Sequence, residues 1–467
     1  MPILCTLRLI RRFQMLAFVV FVASSLLAAG CTADPAADRR ATAHAPRPDG
    51  PGHGSDATGA AFAAFDARAR SGAHLNVVFF GGSLTWGSNA TDPNLTSYRG
   101  NMADRLRKRY PEAHFRFYDA AIGGTPSLLG VYRFDRDVAA RDPDLVFLDF
   151  TANDGHQGSD PDKLAAYESL VRRTVDELGI PMVIAIFPFQ WHLKPETLDP
   201  LPRVVAHKRI AAAYNVPVGD AIERVRQAIH VEHRYTAEEL YPVHRDAAHP
   251  GDEGYALFAD AVWDAFLAGV NHDVVCRAPD EMLHADTYLR PNRFRLAELE
   301  SLPEGWTVEG PLRTSAFYDA YMARWVGTEA VAHNAPRFTR RAKGPFPAPE
   351  PLVLGIRAES ILLFGTSTVD SGQYRIVLDG EVLEFGPHYN RTKVLDASAR
   401  RFGGNTRLLQ KVRSGLDPDV EHRLVIEPLF DEDKAQELRI ESVCVAGGEA
   451  TVRRIVPEDG GAAAPSE

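Results

Sequence analysis

Residues 75–87, LNVVFFGGSLTWG, decide how the first half of the chain folds. The run LNVVFF is apolar at nearly every position, which suits a strand buried on both faces of a parallel sheet. Gly81 and Gly82 then permit a tight turn at the carboxyl end of that strand, and Ser83 follows at once. In open α/β sheets the strand carboxyl ends are where ligands bind. Taken alone, a Gly-Gly-Ser turn is ordinary, because glycine and serine are common loop residues.

Working outward, the same texture repeats. FRFYDAAI (115–122), DLVFLDF (144–150), PMVIAIFPF (181–189) and VPVGDA (216–221) alternate with amphipathic stretches at 98–110, 164–178 and 204–214. This rhythm predicts an α/β domain, a parallel sheet covered by helices on both faces. It closes with a helix-like segment, 251–270, whose Tyr255, Phe258, Val262 and Phe266 recur at helical spacing and read as core. Beyond it come shorter β-type runs with turn signals: PLVLGIR, SILLFGTS, YRIVLDGEVLEF, HRLVIEPL and LRIESVCVA. Asp379-Gly380, within YRIVLDGEVLEF and between two alternating segments, is a hairpin signal. The second domain is therefore expected to be an all-β, jelly-roll-like sandwich.

The first thirty residues differ from the rest. Arg8, Arg11 and Arg12 precede an apolar run too short for an ordinary membrane span, which is the layout of an export signal. The run ends in LLAAGC, which resembles the lipobox of bacterial lipoproteins, with Cys31 as the residue that would carry lipid; an ordinary secretory signal is the alternative. Residues after Cys31 are mostly Ala, Pro, Gly, Asp and His, too poor in large apolar side chains to offset the entropy of ordering. The expected organisation is a signal at 1–30, a disordered linker at 31–60, a catalytic domain at 61–275, a β-sandwich at 276–455 and a disordered tail at 456–467.

The net charge of −10 becomes more negative once the signal's arginines are gone. An acidic chain has no electrostatic case for binding nucleic acid, and membrane contact is expected only through a lipid on Cys31. The location implied is the bacterial cell envelope, lipid-anchored or secreted. With Cys5 in the signal and Cys31 assigned to lipid, Cys276 and Cys444 are left. Two readings stand for them: a disulfide, which an oxidising compartment permits, or two buried thiols.

Three further blocks accompany Ser83. DAAIGGTPS (119–127) follows a strand and offers a backbone amide at Gly123 or Gly124. DFTANDG (149–155) sets Asn153 at the end of another strand. DAAHPGDEGY (246–255) places Asp246 three residues before His249, ahead of the last helix. A serine hydroxyl needs a base to become a nucleophile, and an imidazole needs its tautomer and orientation fixed, which a carboxylate does. Each block alone has a bland reading as a turn or cap. Their conjunction at one edge of a parallel sheet is what points to chemistry.

This ordered set of Ser, Gly, Asn and His resembles the SGNH (GDSL-like) hydrolases over residues 73–270. The resemblance implies a flavodoxin-like three-layer fold and esterase activity. It makes Ser83 the nucleophile, His249 the general base and Asp246 its acid partner, with Ser83, Gly124 and Asn153 as oxyanion donors. The chain departs from the best-known pattern in having GGS for GDS and Ala152 for the glycine before Asn153. No metal-ligand spacing or cofactor fingerprint accompanies these blocks, so no cofactor is expected. An exported hydrolase joined to a β-sandwich also resembles carbohydrate esterases, so removal of acetyl groups from an acylated carbohydrate is the preferred expectation. A short-chain lipase, a general esterase or an acyltransferase is the enzyme alternative; a noncatalytic glycan-binding lipoprotein is the alternative outside enzymes. Trp191 and His192 follow the fourth strand and are candidates for substrate contact, Trp191 by stacking on a sugar ring.

Overall fold

The computed structural model describes residues 60–158, 160–194, 201–312, 326–335, 344–386, 390–399 and 404–456. The signal-like segment, Cys31, the linker up to residue 59 and the tail beyond 456 lie outside them.

Five parallel strands form the catalytic sheet: β1 (His74–Gly81), β2 (His114–Ala121), β3 (Leu145–Asp149), β4 (Met182–Ile186) and β5 (Val218–Asp220). Their order across the sheet is β2-β1-β3-β4-β5, the flavodoxin-like arrangement, whose crevice opens beyond the carboxyl ends of β1 and β3. The central strands β3 and β4 are buried at every residue, as a doubly covered parallel sheet requires. Phe79 and Phe147 stack across β1 and β3 with centroids 4.9 Å apart. Helix Asp252–Asn271 turns Tyr255, Phe258, Val262 and Phe266 into this core.

The second part is a pair of antiparallel sheets. One runs in the order Thr406–Arg413, Ser360–Ser367, Glu437–Ala446, Glu329–His333, Trp306–Glu309, with Asn292–Arg295 also paired to Glu437–Ala446. The other is built on Gln373–Leu378, His422–Leu429 and Leu352–Arg357. Asp379 and Gly380 both take positive φ, 52° and 85°, and close a tight turn between the paired Leu378 and Glu381.

Side-chain alternation along the first sheet joins the two domains. Ile361, Leu363, Val443 and Val445 fill the sandwich core. Leu362, Phe364, Cys444 and Ala446, on the opposite face, belong to the same apolar cluster as the catalytic core. The sandwich is thus docked on the catalytic domain by the outer face of one of its own sheets.

Two expectations are corrected here. Cys276 and Cys444 are free, fully buried thiols and form no bridge. Cys276 lies in a short strand paired to Ala60, whereas Cys444 is paired between Arg293 and Leu362 in the sandwich sheet, so each faces different neighbours. Burial pushes the two thiols up, to about 11 and about 12, which keeps them protonated and unreactive. Ala60, assigned to the linker by composition, is part of the fold through that same strand pair.

Candidate active site

Ser83 begins a short helix, Ser83–Trp86, directly after β1 and Gly82. Both glycines are required by close approach. A Cβ on Gly81 would fall 2.2 Å from Thr85 Oγ1 and 2.5 Å from the Asp149 carbonyl; one on Gly82 would fall 2.1 Å from Asn153 Oδ1. The turn is also braced from below. Arg133, 1 % exposed, donates to the Gly81 carbonyl (2.8 Å) and the Ala120 carbonyl (2.6 Å), with Asp137 paired to it at 3.0 Å. Thr85 Oγ1 donates to Asp149 Oδ2 at 3.0 Å. These bonds support the turn that lacks the aspartate of the GDS pattern.

His249, at the end of the loop before helix Asp252–Asn271, places Nε2 2.7 Å from Ser83 Oγ. Its Nδ1 lies 2.8 Å from Asp246 Oδ2 and 3.1 Å from Oδ1. Ser83 and His249 are each only 5 % exposed. Asp246 Oδ1 also accepts the amides of Ala248 (3.0 Å) and His249 (3.2 Å). Burial pushes the Asp246 carboxyl up, but the hydrogen bonds from His249, Ala248 and Asn89 outweigh it and hold the group at about 2. It is therefore a carboxylate at any working pH, able to orient the imidazole and to stabilise it when protonated.

Asn89 was not legible as part of this site. Its Nδ2 donates to Asp246 Oδ2 (3.0 Å) and to the His249 carbonyl (3.2 Å). It lies in an otherwise unremarked polar loop, GSNAT, and its partners are more than 150 residues away. Its one local hint is a positive φ of 68°, a conformation asparagine tolerates better than most residues.

The remaining predicted residues converge on the same edge. Asn153 stands in the short helix Thr151–Asp154 after β3, with its side chain against Gly82. Gly124 has φ +67° in the turn after β2, next to the strand end where Ala121 pairs with Gly81. Asp154 faces inward: its Oδ1 accepts the Ser127 amide at 2.9 Å, and burial pushes its carboxyl up to about 6. Trp191 is 46 % exposed, its ring 4.6 Å from that of Phe189. The loop carrying it is tied to the Asp246 loop by the Gln190 amide, which donates to the Ala247 carbonyl at 2.8 Å.

His192 is corrected. The 3₁₀ turn Gln190–Leu193 rotates it inward, where Nδ1 accepts the Phe189 amide and the ring packs 4.1 Å from that of His156. Burial, with His156 and Arg226 adding to it, pushes its pKa down to about 3. It is a buried neutral support of the loop and not a surface for substrate.

Residues 79–257 match the model of the GDSL-like Lipase/Acylhydrolase family. No curated protein sequence matches significantly. Among solved structures, a two-domain esterase active on acetylated mannans is 23 % identical, with a TM-score of 0.63 over 83 % of this chain and 95 % of that one. A second structure of a two-domain esterase active on acetylated mannans, co-crystallised with mannopentaose, gives 0.62 at the same identity and coverage. An acetylxylan esterase from Geobacillus stearothermophilus is 21 % identical over 41 % of this chain and 94 % of its own, with a TM-score of 0.35. The first two extend over both parts of the chain and share its two-domain fold.

Proposed function

From the match of residues 79–257 to the GDSL-like lipase/acylhydrolase family model, we propose that the chain is a serine esterase releasing acetyl groups from carbohydrate through a Ser83 acyl-enzyme. The observation that carries the reading is the continuous hydrogen-bonded line from Ser83 Oγ through His249 to Asp246. Ser83 Oγ attacks the acyl carbonyl carbon as Nε2 of His249 takes its proton. The imidazolium, faced by the Asp246 carboxylate, returns that proton to the departing sugar oxygen. Water then repeats the sequence and frees acetate. The charge on the carbonyl oxygen is met by donors at Ser83, Gly124 and Asn153, which stand on three adjacent strand ends.

The carbohydrate assignment is supported by the two-domain fold shared with an esterase active on acetylated mannans. The half-exposed Trp191 beside the catalytic loop offers a stacking surface for a sugar ring. The export-type pattern of the first thirty residues supports a location in the cell envelope, with Cys31 as the proposed lipid-bearing residue. The test compares the native chain with Ser83→Ala on 4-nitrophenyl acetate and on a panel of acetylated mannan, acetylated xylan and long-chain lipid esters. Acetate release from a glycan, abolished by Ser83→Ala, is the expected result. Preference for the lipid esters would overturn the substrate, and equal rates for the two proteins would overturn the enzyme.

A further inference from the structure

The strand Thr406–Arg413 of the sandwich has two faces. Leu408 and Val412 point into the sandwich core, while Arg407, Leu409 and Lys411 point at the catalytic domain. Leu409 packs against the catalytic apolar cluster. Lys411 pairs with Asp162, and lies 3.8 Å from Asp160, at the start of helix Pro161–Arg172. These two anchors fix the strand's register on the catalytic domain, and the third residue of the face is thereby carried to the active-site edge. There the Arg407 guanidinium lies over Gly124. A Cβ on that glycine would fall 2.7–2.8 Å from Arg407 Nη1, Cζ and Nη2, so the flat face of the group covers the turn.

We propose that Arg407 is a substrate-binding residue of the esterase site, contributed by the second domain, and that it holds the sugar unit bearing the scissile acetyl group. This rests on the carbohydrate-esterase reading. A guanidinium is a planar fork of donors with no acceptor, matched to a pair of neighbouring oxygens such as adjacent hydroxyl and ring or linkage oxygens of a pyranose. Its place over Gly124 sets it beside the turn that is read as an oxyanion donor, on the side of the site lined by the second domain. The strand that carries it is preorganised by Leu409 and Lys411, so it needs little ordering on binding. The sandwich is then a wall of the catalytic site, and the specificity for a glycan ester over a simple ester resides partly outside the hydrolase domain.

The experiment measures kcat/KM of the full chain and of Arg407→Ala, Arg407→Lys and Lys411→Ala on acetylated manno-oligosaccharide and on 4-nitrophenyl acetate, which has no sugar oxygens. Arg407→Ala should lower the ratio of glycan to aryl-ester kcat/KM by about 10- to 100-fold, the loss expected for charged hydrogen bonds. Arg407→Lys, which keeps the charge without the fork, should recover only part of it. Lys411→Ala, which loosens one anchor of the strand, should lower the same ratio by less than Arg407→Ala. Equal falls on both substrates would make Arg407 a support of the Gly124 turn and overturn the assignment; so would an unchanged kcat/KM on both, which would make it a packing contact. A native enzyme that cleaves the aryl ester but releases acetate from no glycan would overturn the carbohydrate reading and this assignment together. Thermal midpoints of the three variants separate lost binding from lost folding.

Discussion

Replacing Asn89 by glycine tests whether the Asp246 carboxylate must be held from both sides. Asn89 donates to Asp246 Oδ2, the oxygen closest to His249 Nδ1, while the amides of Ala248 and His249 hold Oδ1. Glycine accepts the positive φ of 68° without strain, so the substitution removes the side chain's bonds to Asp246 and to the His249 carbonyl and little else. A hydrogen bond to a charged group contributes about 1.5–3 kcal/mol. Because two amides still anchor Oδ1, the lower end applies, and kcat on 4-nitrophenyl acetate should fall by about tenfold. KM should change little, since Asn89 contacts the acid and not the ester. Asn89→Ala should lose the same activity and be about 1–2 kcal/mol less stable than Asn89→Gly, because alanine keeps a β-carbon at positive φ. Turnover of Asn89→Gly within twofold of native, or a loss seen only in KM, would show that the backbone amides alone orient Asp246.

Asn153→Ala should lower kcat by roughly 10²–10³, the usual cost of one oxyanion donor, with near-native thermal stability; full turnover would refute that role. Asp149, buried beneath Ser83, has its carboxyl pushed by burial from an ordinary 3.8 up to about 7. Between those values the unfolded chain releases a proton that the folded one keeps, so stability falls as pH rises from about 4 to 7 and the slope then vanishes. Asp149→Asn, whose oxygen can still accept from Thr85, should flatten that slope in urea titrations at pH 4.5 and 7.5; identical slopes would refute it. Iodoacetamide should leave Cys276 and Cys444 unmodified in the native protein and label both after unfolding without reductant. Failure to label them in denaturant would indicate a bridge.

What could be read from the sequence was set by local physics. LNVVFF announced a doubly buried strand because its residues are apolar on both faces, and the blocks around Ser83, Gly124, Asn153 and His249 were visible because each follows a strand or precedes a helix. The docking of the sandwich was legible in principle: SILLFGTS is apolar at successive positions, whereas a strand with one solvated face should alternate. Leu362 and Phe364 supply the excess, and they are the residues that meet the catalytic domain. Asn89 and Arg133 were hidden because a single polar residue in a loop or helix carries no trace of a distant partner. His192 was misplaced because its neighbour Trp191 is exposed, and nothing local distinguishes which of two adjacent loop side chains a 3₁₀ turn will direct inward.

The account depends most on Ser83 being an activated nucleophile. Treating the protein with a fluorophosphonate and locating the adduct by peptide mass spectrometry tests this without assuming a substrate. One adduct, on Ser83, forming in step with loss of esterase activity and strongly slowed in His249→Ala, is the predicted result. Inactivation with the label on another residue, or hydrolysis that continues in an Ser83→Ala protein, would contradict it.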